Sequence, residues 1–128
     1  MLLSALVPVG CAASSTATGA GPRTVRVGFA DSGRTVHVRP GDVVVVRLHS
    51  TYWSFGTVAG DTLHQQKAVV HAVPIGRTVP GSGEGTVTVG YQAMHRGRQT
   101  ITATRRVCGE AMSCVGKQGS FWMFVVVR

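Results

Sequence analysis

Residues 39–55, Arg-Pro-Gly-Asp-Val-Val-Val-Val-Arg-Leu-His-Ser-Thr-Tyr-Trp-Ser-Phe, read as a turn, a strand and an aromatic loop. Pro40 fixes φ and Gly41 accepts the left-handed region, so the pair marks a turn. Val43 to Val46 are β-branched and stiff at χ1, which suits a pleated surface. A period of two puts Val44, Val46 and Leu48 on one face, taken as inward, and Val43, Val45 and Arg47 on the other. His49 to Trp53 then breaks the pattern with polar atoms and two large rings. A strand that delivers such a loop to one end of a sandwich presents a binding surface.

The alternation recurs on both sides of this stretch. Thr24–Phe29 alternates weakly, and Thr35–Arg39 cleanly, with Val36 and Val38 on one face and 42–48 as its expected neighbour. Residues 53–58 read as an edge strand. Residues 66–73 are short, β-branched and closed by Pro74, so they read as strand rather than helix. Thr86–Gln92 turns Val87, Val89 and Tyr91 inward, Arg98–Thr104 does the same with Ile101 and Ala103, and 121–127 closes the chain. About eight short strands, turn signals roughly every 8–12 residues and no amphipathic helix predict an all-β chain. The expected form is a single immunoglobulin-like antiparallel β-sandwich of about 7–8 strands with Greek-key connections. No internal repeat or second domain is visible.

The 128 residues and 44% hydrophobic content fit one domain with a real core. The formal net charge is +8, but the arginines are scattered, with Arg105-Arg106 as their one adjacent pair. Nucleic-acid binders cluster their charge on one face, so nucleic acid is not the expected partner. An anionic envelope polymer is a diffuse alternative.

Met1 to Cys11 is apolar, uncharged and ends in small residues before a cysteine. It looks like the tail of a bacterial lipoprotein signal, with Cys11 as the lipidated residue; an ordinary secretory signal is the alternative. Pro8 stands where that motif usually has Leu. No basic residue precedes the apolar run, which predicts a signal that begins upstream of Met1. Eleven apolar residues are too few to span a bilayer. The expected organisation is a signal remnant over 1–10, a tether over 11–22 and the sandwich over 23–128. The location follows as extracytoplasmic, with the membrane reached through the lipid alone. In an oxidising compartment Cys108 and Cys114 are expected to form a disulfide. A metal pair would need two further ligands, and none lies nearby.

Catalysis finds little support. There is no Gly-x-Ser-x-Gly elbow, and the acidic residues Asp31, Asp42, Asp61, Glu84 and Glu110 lie in or beside turns. His37, His49, His64, His71 and His95 are spread without paired metal-site spacing. Neither an enzyme, a metal site nor a cofactor is expected. Tyr52 is the candidate for exposure, since Tyr is enriched at interface hot spots, whereas Trp on a sandwich's third strand is commonly buried. In such a sandwich the loops at 49–52 and 106–119 share one end, and the Gly-rich loop at 79–85 is expected to join them.

The order of strand 35–39, Pro-Gly turn, strand 42–48, aromatic loop, Gly-rich loop and closing strands resembles the chagasin-type cysteine-peptidase inhibitors over roughly 35–128. Where that family's first loop carries Asn-Pro-Thr-Thr-Gly-Tyr, this chain has Ser50-Thr51-Tyr52-Trp53. It keeps Thr and an aromatic and lacks Asn, Pro and Gly. The family's Gly-rich second loop is matched by Gly81-Ser82-Gly83-Glu84-Gly85-Thr86. Its third, Arg-Pro-Trp, is matched by Arg105-Arg106-Val107-Cys108, which keeps an Arg and loses Pro and Trp. The chain also looks like small bacterial lipoproteins that carry such a domain. The resemblance implies a monomeric, non-catalytic domain whose loops block the cleft of a papain-like peptidase. The contacts would come from Thr51, Tyr52, Trp53, Gly81, Ser82, Gly83, Gly85, Arg105 and Arg106. The alternative is a non-inhibitory envelope module that binds an anionic polymer or another protein.

Overall fold

The alternating valines become strands whose inward residues meet across two stacked sheets. The computed structural model describes residues 21–74, 76–77, 81–109 and 112–128. Its strands are β1 (Thr24–Val27), β2 (Thr35–Val38), β3 (Val43–His49), β4 (Ser54–Phe55), β5 (Leu63–Gln65), β6 (Val69–Ala72), β7 (Gly85–Ala93), β8 (Gly97–Thr104) and β9 (Ser120–Val127). Among the described residues the only helical pieces are two short 3₁₀ turns, and no helix is long and apolar enough to cross a membrane.

One sheet runs β1-β3-β7-β5, with β6 also on β7; the other runs β2-β9-β8-β4. The long strand β7 carries two short strands on one edge, β5 at its C-terminal half and β6 at its N-terminal half. Between them Gln66 leaves the ladder. Its amide donates to the Gly90 carbonyl at 2.8 Å, and its side chain fills the space where a Cβ on Gly90 would stand. The strand expected over 66–73 is therefore shortened to β6, and β5 precedes it. The edge strand expected over 53–58 is reduced to the two residues of β4.

The sandwich is as expected, but its sheets are mixed. β1 runs parallel to β3 and β2 parallel to β9, while the remaining pairs are antiparallel. The expected pairing of 35–39 with 42–48 does not occur, because the Pro40-Gly41-Asp42 corner carries the chain from one sheet to the other. Gly41 sits at φ 95°, and its amide donates to the Ala93 carbonyl at 2.7 Å. The Asp42 carboxylate accepts from the amides of Arg23 and Arg39, each at 2.9 Å, and lies 3.6 Å from the Arg23 guanidinium. Those bonds hold the Asp42 carboxyl below the usual range, with backbone donation from Arg39 the largest cause.

The inward faces are those the alternation assigns. Val44, Val46 and Leu48 from β3 and Val87, Val89 and Tyr91 from β7 meet Ile101 and Ala103 from β8 and Phe121, Met123 and Val125 from β9. Fully burying one such aliphatic side chain stabilises the fold by about 1.5–3 kcal/mol. This core fixes which ends of β3, β7 and β8 lie together.

Candidate functional site

At one end of the sandwich, β3 leaves into residues 50–53, β7 is entered through 81–84, and β8 leaves into 105–119. Register puts them side by side, because His49 faces Thr86 and Ser54 faces Thr104.

The first two loops form one unit. Ser50 and Thr51 donate their amides to the Gly85 and Gly83 carbonyls at 2.9 and 2.8 Å. Ser50 is the one non-glycine residue with positive φ among the described residues, at 113°. Its hydroxyl accepts from the Tyr52 amide at 3.1 Å, a side-chain turn that compensates part of that strain. The Tyr52 ring then lies on the Gly-rich loop, and its hydroxyl donates to the Gly81 carbonyl at 2.7 Å. Gly83, at φ 68°, is required here, since a Cβ would collide with the Tyr52 ring.

Tyr52 and Trp53 point opposite ways. Tyr52 is 37% exposed and Trp53 only 5%. Trp53 is therefore buried beneath the loop and not presented beside Tyr52, unlike its place in the expected set. Its indole donates to the His49 carbonyl at 2.9 Å, and its ring packs 5.9 Å from Phe29. It supports the loop from beneath.

The third loop joins through Arg105, whose guanidinium lies 4.8 Å over the Trp53 ring. Arg105 also donates its amide to Gly119 and its Nε to Gln118, both at 3.0 Å. Partial burial lowers its pKa. It braces the loop, while Arg106 is exposed. Beyond them, Cys108 and Cys114 form a disulfide with Cα atoms 4.9 Å apart, and Val107 bridges to Ser113. Thr51, Gly81, Ser82, Gly83 and Gly85 thus come together with Tyr52, and Arg105 is tied in through Trp53. Cys11, with the signal and tether to residue 20, lies outside the described residues, as do 78–80 and 110–111. Sequence reasoning missed Ser50; a serine directly after a strand and before two aromatics gives no signal of positive φ.

The groups at this end donate and accept hydrogen bonds and present an aromatic face. No cluster of His, Cys, Asp or Glu among the described residues could hold a metal. The arrangement suits binding by shape.

No protein-family model matches the sequence, and no curated protein does. Among solved structures the chain is similar to a cysteine protease inhibitor from Entamoeba histolytica, with a TM-score of 0.61 and 16% identity, covering 86% of this chain and 100% of that one. It is also similar to amebosin, with a TM-score of 0.57 and 17% identity, covering 84% of this chain and 100% of that one. Identity this low shows a shared fold, the sandwich expected from the resemblance to chagasin-type inhibitors.

Proposed function

We propose that this chain is a steric inhibitor of papain-like cysteine peptidases, acting outside the cytoplasm from a lipid anchor on Cys11. One observation carries the reading: the Tyr52 loop and the Gly81–Gly85 loop are locked together by the Tyr52 hydroxyl on Gly81. A loop ordered before binding loses little conformational entropy when it enters a cleft. The shared fold with a cysteine protease inhibitor supports the same reading. Tyr52, the Gly-rich loop and Arg106 make the contacts; Trp53 and Arg105 brace them. No bond is made or broken by this chain. The disulfide supports an oxidising location.

The test is titration of papain with the full chain. Stoichiometric inhibition is expected. Tyr52→Ala and Gly83→Ala should each weaken it by about tenfold or more, the range of a lost hot-spot contact. Absence of inhibition at micromolar chain would overturn the reading.

A further inference from the structure

We propose a second site on the outer face of the larger sheet: a basic groove that binds clustered phosphate oxygens. Its loop end is lined by Ser50 and by Ser82 to Gly85, beside the proposed inhibitory loops, but phosphate binding there does not depend on peptidase inhibition. Two cavities, of about 610 and 650 Å³, share Arg47, His49 and His71 in their walls and form one groove. Arg26 closes its far end, and Glu84 stands at the loop end.

Strand register explains the grouping. His49 on β3 and His71 on β6 both face Thr86 on the strand between them. One row further, Arg47 faces Thr88. Arg26 joins from β1, beside Val45. Side chains two apart on a strand share a face, so these groups project to the same side.

Two further observations point to a ligand. Thr86 lines the groove and is only 6% exposed, yet its hydroxyl has no hydrogen-bond partner. A buried hydroxyl without a partner needs an explanation, and a bound group reaching it between His49 and His71 would supply one. Neither Arg26 nor Arg47 is in an ion pair among the described residues; the pairs there are Arg23–Asp42 and Arg34–Asp31. Two guanidinium forks, two imidazoles and a hydroxyl supply more donors than one carboxylate can accept, which favours phosphate. Glu84 repels an anion from the loop end, which biases it toward Arg47 and the adjoining Thr86–His49 row.

The test titrates inorganic tripolyphosphate, and separately glycerol phosphate, into the full chain by calorimetry at an ionic strength of about 0.15 M. Saturable binding of either supports the site. The tighter of the two tells a free phosphate chain from an esterified group. Arg47→Gln should weaken binding about tenfold or more, while Arg98→Gln, the same charge change on the other sheet, should leave it within about twofold. Thr86→Val, which keeps the shape and removes the hydroxyl, should weaken phosphate binding without lowering the melting temperature. No saturable binding, or equal losses in the Arg47 and Arg98 variants, would overturn the proposal.

Discussion

Two tyrosines show how placement, not residue type, sets a role. Tyr52 has an exposed ring whose hydroxyl is satisfied by Gly81. Tyr91 has a fully buried ring whose hydroxyl has no partner. A buried hydroxyl with nothing to bond costs roughly 1–3 kcal/mol of lost hydration. Tyr91→Phe should therefore leave stability unchanged or raise it by up to about 1 kcal/mol in urea unfolding. A clear loss would show that the hydroxyl is bonded. Burial also pushes the Tyr91 phenol up. A folded-state value above the unfolded one gives stability that is full below about pH 10 and lost as pH rises through the folded value. The Phe variant should lack that part of the alkaline decline. Alternation alone showed that Tyr91 points inward, but not that its hydroxyl would meet no acceptor.

Among elements, inward faces were legible and corners were not. Period-two patterning assigns Val44, Val46, Leu48, Val87, Val89, Ile101 and Ala103 correctly, because burial on one face leaves that mark directly. It does not say which strand is the neighbour. Pro40-Gly41-Asp42 reads equally as a hairpin or as a corner between sheets, and the carboxylate clamp that makes it a corner depends on Arg23, far back in the chain. The Cys108–Cys114 bridge was legible because an oxidising compartment favours pairing and no further metal ligands lie beside the two cysteines. The prediction at this scale concerns that bridge. The base of its loop is already held by Arg105 on Gly119 and Gln118. Replacing both cysteines with serine should cost about 2 kcal/mol or less in denaturant unfolding. Trp53 fluorescence should stay that of a buried indole. Inhibition should weaken, since the arm that carries Arg106 loses its brace. A red-shifted Trp53 in the folded variant would show that the bridge supports the core itself.

The whole molecule carries a formal charge of +8 with only five carboxylates, so its response to acid is one-sided. Each carboxylate that takes up a proton removes a negative charge from a chain that already repels itself. Asp42 makes this specific, since its carboxylate ties β1, the Arg39 turn and β3 together. Its folded-state pKa is lowered, so its contribution is full above the unfolded carboxylate range and is lost as pH falls through the folded value. That contribution should therefore be flat above about pH 5 and fall progressively below it. Asp42→Asn should cost about 1.5–3 kcal/mol at neutral pH, the range for hydrogen bonds to a charged group. The variant should also show a shallower acid decline, because it has no proton to take up at that position. Added salt should recover part of the remaining loss in both proteins by screening the cationic surface. Melting temperatures from pH 7 to pH 3, with and without salt, separate the two contributions. An Asp42→Asn curve parallel to that of the parent would place the acid sensitivity in the general repulsion and not in the corner.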